Sequence, residues 1–229
     1  MSDAGSHISA TRIAPNNHPA PTTNEPCTQM KSHLRKLFST LPASLRGSLT
    51  FVLSGHNNLS NVLRDLESKG LPFGTIYDIG ARHAEWAKSI KKTFPKSEVV
   101  LFEANEKCRD ILAQSKFRFF LGILSSEIKD VKFYENDSTG DSYYKENTAH
   151  YDSITPIERR TTTLDLVALE NKLPPPDFIK LDTQGSELDI LSGGSNCLQN
   201  ASLVYIECPI IPYNIGAPGI QNYISVVSH

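Results

Sequence analysis

The chain is short of cysteine, of excess charge and of long apolar runs, and each shortage removes a class of protein. Its four cysteines, Cys27, Cys108, Cys197 and Cys208, are scattered with no CxxC pair. Zinc-ligand spacing is therefore absent, and no metal site is expected. A disulfide framework is not expected either, because 229 residues can bury a core without one. The thiols read as free, in a reducing compartment. Lysine and arginine number 23 against 25 aspartates and glutamates, for a formal net charge of -2. That balance offers no electrostatic footprint for nucleic acid or an anionic membrane. There is no run of about 18 apolar residues, so a transmembrane helix is not expected. The first residues are polar and lack the apolar stretch of a secretory leader, which makes a cytoplasmic protein the expectation. Two nucleotide signatures are missing as well. Without GxGxxG a nicotinamide dinucleotide has no pyrophosphate cradle, and without GxxxxGK[ST] a triphosphate hydrolase has no phosphate loop.

What is present divides the chain in three. Residues 1–28 are rich in Ser, Thr, Pro, Asn and His. The run Ala14-Pro15-Asn16-Asn17-His18-Pro19-Ala20-Pro21 cannot build a helix or an interior strand, and the segment reads as a disordered tail. Residues 29–72 read as a helical extension. Met30, Leu34, Leu37, Phe38 and Leu41 have helical spacing, and a second helix is expected over residues 59–69 with Gly70 closing it. From residue 73 to 229, strands alternate with helices. Strands are expected at residues 75–79, 98–103, 118–123, 178–182 and 203–207. Helices are expected at 84–94, at 106–114 (burying Ile111 and Leu112), at 163–171, at 186–191 with Gly193-Gly194 at its end, and near 221–227. Short strand–helix–strand crossovers imply parallel pairing. Residues 130–134 and 158–162 interrupt the rhythm as edge or hairpin strands. The polar stretch between them carries Gly140-Asp141-Ser142 and several tyrosines, and so long a connection points to function.

Four of the expected strands end in or beside a carboxylate: Asp78, Glu103, Asp182 and Glu207. In an open parallel sheet, ligands bind outside the carboxyl ends of the strands. Any one of these acids could be a solvated strand end, but the ordered set marks a crevice. Gly80 lets the loop Asp78-Ile79-Gly80-Ala81 turn sharply. Glu103 follows Gly80 by 23 residues, a placement that suits acceptance of hydrogen bonds from ribose hydroxyls. Spacing alone therefore indicates a ligand containing adenosine, without saying which.

Four segments taken together resemble the FkbM family of S-adenosylmethionine-dependent methyltransferases. They are Asp78-Ile79-Gly80-Ala81-Arg82-His83-Ala84, Phe102-Glu103-Ala104-Asn105, Thr163-Leu164-Asp165, and the block from Lys180-Leu181-Asp182 through Gly185 and Glu187 to Leu191. The resemblance covers roughly residues 75–220. It implies an α/β fold, a Rossmann-like class I methyltransferase sheet with flanking helices. The family core is expected to continue past the helix near residues 221–227 into a final strand pair. The chain ends at His229, so that pair is either absent or belongs to a longer chain. An open sheet edge would suit a homo-oligomer covering it.

The implied activity is methyl transfer from S-adenosylmethionine to a hydroxyl of a sugar, glycan or small metabolite. The alternative is a non-catalytic protein that keeps the fold for binding or assembly. By the resemblance, Asp78, Gly80 and Ala81 line the methionine and adenosine side, Glu103 holds the ribose, and Asn105 sits beside the adenine or ribose. Asp182 sits at the crevice floor near the transferred methyl. Asp182 is the first candidate base, with Glu207 beside it; its other reading is a cap for the following helix. His83, at the mouth of the first loop, is a further candidate base or a helix-start residue. Lys180 shares a strand face with Asp182 and is expected to pair with an acid. Tyr143, Tyr144, His150 and Tyr151 are candidates for the acceptor pocket. The chain departs from the family pattern at Arg82, where asparagine is usual, and at Ala84, where a second glycine is usual.

Overall fold

Thr75–Ile79 (β1) and Phe178–Leu181 (β7) are mostly apolar, broken by the charged Asp78 and Lys180, and all nine positions are buried. Such runs suit the interior of a parallel sheet covered on both faces. The computed structural model describes residues 56–135, 140–210 and 213–227. The tail expected over residues 1–28 and the first helix expected over residues 29–41 lie outside them.

In chain order the elements are α1 (His56–Ser68), β1, α2 (Glu85–Thr93), β2 (Glu98–Glu103), a 3-10 turn (Glu106–Cys108), α3 (Arg109–Gln114), β3 (Arg118–Leu121), β4 (Ile123–Leu124) and β5 (Asp130–Phe133). They continue through α4 (Ala149–Asp152), β6 (Ile157–Thr162), α5 (Leu164–Glu170), β7, α6 (Glu187–Ser192), α7 (Ser195–Asn200), β8 (Leu203–Ile206) and α8 (Ile220–Val227). The main sheet is entirely parallel with order β3-β2-β1-β7-β8. The chain builds outward from β1 through β2 to β3, then returns to add β7 and β8 on the other side. The reversal leaves a crevice between the carboxyl ends of β1 and β7, where open α/β sheets bind ligands.

Alternation along the strands feeds two apolar layers. On one face Leu59 and Leu63 of α1 join Phe73, Ile76, Ala87, Ile90, Val99, Leu101, Leu112 and Phe178. Phe73 stacks on Phe94 at 4.6 Å between ring centroids and meets Phe178 edge-on at 5.7 Å. On the other face Tyr77, Ile79, Val100, Phe102, Ile179 and Leu181 pack against Leu164, Ile190 and Cys197. Helix α1 closes as expected at Gly70. The Leu71 N–H donates to the Leu66 carbonyl at 3.1 Å and the Gly70 N–H to the Glu67 carbonyl at 2.9 Å. Thr163 caps α5, its hydroxyl oxygen accepting from the Leu166 N–H at 3.2 Å.

Three expectations change. The strand expected at residues 118–123 is two strands. β3 pairs with β2, and after Gly122 the chain leaves the main sheet so that β4 pairs parallel with β6. β5 pairs antiparallel with β6, which makes a separate three-stranded sheet of the two interrupting strands and β4. Ile111 is 39% exposed; only Leu112 of that helix faces the core. Gly193-Gly194 ends α6 as expected, and α7 begins directly after it. The strand expected at 203–207 is half-buried, being the edge strand β8. Among the described residues no helix is long and apolar enough to cross a membrane.

Candidate functional site

The loop after β1 is fixed by its own backbone. The Gly80 and Ala81 N–H groups both donate to the Phe102 carbonyl on β2, at 2.9 and 3.1 Å. Gly80 has φ +79°, and a Cβ there would lie 1.9 Å from the Asp182 carbonyl oxygen. No residue but glycine lets β1 turn this close to the end of β7. Arg82 and Ala84 also have positive φ, 46° and 61°. The usual glycine at Ala84 would adopt that conformation freely; alanine does so at a cost of about 1 kcal/mol. Its methyl is fully buried in the layer that also holds Ala81 and Ala87.

Glu103 ends β2 against this loop. Its Oε2 accepts from the Arg82 N–H at 2.6 Å, and its Oε1 accepts from the Ala104 and Asn105 N–H groups, each at 2.8 Å. Burial pushes its pKa up, and the three backbone donors pull against that rise. Asn105 does two jobs. Its Oδ1 accepts from the Lys107 N–H at 2.8 Å, and its Nδ2 donates to Asp141 Oδ2 at 2.6 Å. The second bond ties the end of β2 to the Gly140-Asp141-Ser142 segment.

A buried charge cluster lies under the β1–β7 crevice. The Lys180 ammonium is 3.1 Å from Asp78 Oδ1 and 3.6 Å from Asp182 Oδ2, and it donates to the Gly80 carbonyl at 3.2 Å. It also lies 5.8 Å from the centroid of the Trp86 ring. Burial alone would pull Lys180 down, but Asp78 and Asp182 hold it above its ordinary value. Complete burial pushes Asp78 up to about 6, against the opposing charge of Lys180. Glu207, beyond the end of β8, is exposed at its outer edge, yet its carboxyl is raised to about 7. Partial desolvation comes first among the causes, followed by the charge of Asp182 and a hydrogen bond to it.

The block from Lys180 to Leu191 folds around Glu187, which is 1% exposed. Glu187 Oε1 accepts from the Thr183 N–H at 2.8 Å, its Oε2 accepts from the Gly185 N–H at 3.0 Å, and Oε2 also accepts from the Tyr223 hydroxyl of α8 at 2.7 Å. Gly185 has φ +105°, and a Cβ there would lie 2.8 Å from the Ala217 methyl. The carboxylate of Glu187 thus shapes the turn that carries Asp182. Asp165 has a similar duty elsewhere. It accepts from the Asn196 and Cys197 N–H groups, both at 2.9 Å, and so caps the first turn of α7.

The cleft above these residues has a volume of about 140 Å³ and opens to solvent at its mouth. Ile79, Gly80, Arg82, Glu103, Ala104, Asp182 and Gln184 line it from the main sheet and its loops. Ile123, Leu124 and Phe133 give it an apolar wall, and Gly140 to Tyr143 close it from the long insertion. The insertion is held down at several points. The Tyr143 and Tyr144 hydroxyls both donate to Asp189 Oδ2, at 2.7 and 2.9 Å. The Tyr151 hydroxyl donates to the Gly140 carbonyl at 2.7 Å. The Asn147 N–H donates to the Tyr213 carbonyl and the Ile215 N–H to the Lys145 carbonyl, each at 2.7 Å. The Asn214 amide donates to the Tyr144 carbonyl at 2.8 Å.

Of the residues singled out from sequence, the structure brings Gly80, Glu103, Asp182 and Tyr143 together on the cleft. Asp78 lies beneath it, paired with Lys180. Ala81 is buried behind the loop, and Asn105 stands behind Ala104 and reaches the site through Asp141. Glu207 approaches Asp182 from the β8 side. His83 is half-exposed at the start of α2, with Nδ1 3.5 Å from Glu85 Oε1. Tyr144 and Tyr151 brace the insertion, and His150 is exposed with its ring edge-on to Tyr151 at 5.6 Å. The sequence reading missed the apolar wall. Ile123 read as the last residue of the strand expected at 118–123, and no local pattern marks it or Leu124 as facing a cavity.

Sheet order, crevice and cleft are those of a Rossmann-like class I methyltransferase. Residues 78–217 match the methyltransferase FkbM domain, and the chain belongs to that family. It is similar to the 2-O-methyltransferase NoeI of Sinorhizobium fredii, with 26% identity over 154 residues covering 59% of this chain and 63% of that protein. It is also similar to the hexuronic acid methyltransferase AglP of Haloferax volcanii, with 27% identity over 153 residues covering 64% of this chain and 61% of that protein. The chain thus spans about three-fifths of the length of these curated relatives. No solved structure matches it.

Proposed function

We propose that the protein is an S-adenosylmethionine-dependent O-methyltransferase whose acceptor is a hydroxyl of a sugar or small metabolite. The observation that carries this reading is the convergence of Gly80, Glu103 and Asp182, from the ends of three neighbouring strands, on one cleft with an apolar wall. The relatives support it, since one is named for 2-O-methylation and the other for a hexuronic acid. The residues fit the cofactor. Gly80 lets the β1 loop close on the Asp182 carbonyl, which sets Asp182 beside Glu103 on the cleft.

Glu103 takes the ribose. A carboxylate offers about four acceptor directions. Backbone N–H groups use three of those at Glu103, which leaves room for about one ribose hydroxyl rather than a bidentate grip. Ile123, Leu124 and Phe133 form the apolar side for the adenine, and Asp141, positioned by Asn105, gives that side a polar rim. When bound, S-adenosylmethionine supplies an electrophilic methyl on a sulfonium sulfur.

Asp182 accepts the proton of the acceptor hydroxyl. It lies on the cleft, and the Gln184 amide donates to its Oδ1 at 3.0 Å, which orients the carboxylate. Lys180 supplies a fixed positive charge beside it, and Glu207 shares its proton inventory. Asp78 acts on Lys180 rather than on a ligand, and His83 stays outside the proton path.

The test is calorimetric titration with S-adenosylmethionine and with S-adenosylhomocysteine, followed by transfer of a labelled methyl to a panel of neutral and uronic sugars. Absence of binding near millimolar ligand would sink the reading. Binding without transfer to any hydroxyl would favour a protein that keeps the fold for binding or assembly.

A further inference from the structure

Four charged side chains line the cleft: Arg82, Glu103, Asp141 and Asp182. The three acids are engaged. Glu103 accepts three backbone N–H groups, Asp141 accepts from the Asn105 amide, and Asp182 accepts from Gln184 beside Lys180. Arg82 differs. Its backbone is pinned by the 2.6 Å bond from its N–H to Glu103, but its guanidinium makes no hydrogen bond or ion pair among the described residues. The side chain is half-buried on the cleft wall. A cation held partly out of water without a counter-charge is unfavourable unless something in the cleft supplies the anion.

The cleft therefore presents three carboxylates and one uncompensated guanidinium. That set complements a ligand with two cationic centres and one carboxylate. S-adenosylmethionine is such a molecule, with a sulfonium, an ammonium and an α-carboxylate. We infer that Arg82 binds the α-carboxylate of the methionyl end of the cofactor, a contact that an asparagine at this place cannot make with a full charge. The inference rests on the cofactor reading above. It makes the departure at Arg82 a positive feature of this chain. Guanidinium and carboxylate can pair through two parallel hydrogen bonds, and a cleft wall partly screened from water strengthens them.

The experiment compares two ligands on the wild type, on Arg82→Met and on Arg82→Lys. S-adenosylhomocysteine carries the amino-acid end; 5′-methylthioadenosine has the adenosine and thioether without it. By calorimetry, Arg82→Met is expected to weaken S-adenosylhomocysteine on the order of 10- to 100-fold, the loss typical of a charge-assisted pair. The same variant should hold 5′-methylthioadenosine within about twofold of wild type, a bound set by ordinary surface substitution effects, which also reports an intact fold. Arg82→Lys should recover part of the loss, since it restores charge without the planar fork. Unchanged S-adenosylhomocysteine affinity in Arg82→Met would overturn the inference. So would an equal loss for both ligands, which would place the effect on the adenosine half or on the loop. Failure of the wild-type protein to bind either ligand would instead bring down the cofactor reading itself.

Discussion

Glu103→Gln tests the site and the fold with one atom. The carboxylate accepts three backbone N–H groups through two oxygens, so an amide cannot replace it without conflict. The less costly orientation keeps the amide oxygen on the Ala104 and Asn105 N–H groups. The amide NH2 then faces the Arg82 N–H, donor against donor, where a 2.6 Å bond stood. Losing a hydrogen bond to a charged group and leaving a donor unsatisfied costs roughly 1.5–3 kcal/mol. Relief from burying a charge offsets part of that, because burial already pushes the Glu103 pKa up. A net loss of about 1–2 kcal/mol in urea unfolding is the expected outcome. Ligand binding should suffer more. The ribose loses a charged acceptor and the loop that frames it loosens, for a drop on the order of 10- to 100-fold in S-adenosylhomocysteine affinity by calorimetry. A variant that unfolds at the wild-type midpoint and binds within twofold would refute both roles assigned to this carboxylate.

Gly80→Ala should destabilise the protein by roughly 2–5 kcal/mol, combining left-handed strain with a steric clash against the Asp182 carbonyl. An unfolding midpoint equal to wild type would mean that β1 and β7 need not approach so closely. The methyl-transfer rate should climb between about pH 6 and 8, because the raised carboxyl of Glu207 gives up its proton near pH 7 and leaves Asp182 freer to accept one. In Glu207→Gln that limb should vanish, and its persistence would separate Glu207 from the proton path. Asp189→Asn should weaken two tyrosine hydrogen bonds, cost about 1 kcal/mol, and speed hydrogen exchange across residues 140–147. Unaltered exchange there would show that other contacts hold the insertion in place.

The parallel core was legible because burial leaves a plain mark on composition. β1, β2 and β7 are near-continuous apolar runs, and the acids at their ends stand out against them. The strand expected over residues 118–123 failed for the same reason. Residues on either side of Gly122 are equally apolar, and only the competing partners β2 and β6 decide where one strand stops and the next begins. The pair Gly193-Gly194 marked the end of α6, but nothing local announced α7, which Asp165, some thirty residues earlier, caps directly after it. Such a cap is invisible to local pattern. Position at strand ends singled out Glu103 and Asp182, and both lie on the cleft. Asn105 and Asp78 lie behind it, held by Asp141 and Lys180, partners far away in sequence. The apolar wall could not be read, because Ile123, Leu124 and Phe133 join it only through the second sheet.

The insertion that closes the cleft is fastened just past its lining residues, where Tyr144 to Asn147 is stitched to Tyr213 to Ile215, some seventy residues on, by main-chain and amide hydrogen bonds. The Asn214 amide is the one side chain that bonds directly across the two stretches among these contacts; the other bonds between them join main chain to main chain. A recombination experiment that transplants the insertion from a relative would leave donors and acceptors of the second stretch facing a stranger. The two must therefore travel as one cassette, and a library meant to redirect acceptor choice should vary both together while leaving the sheet untouched.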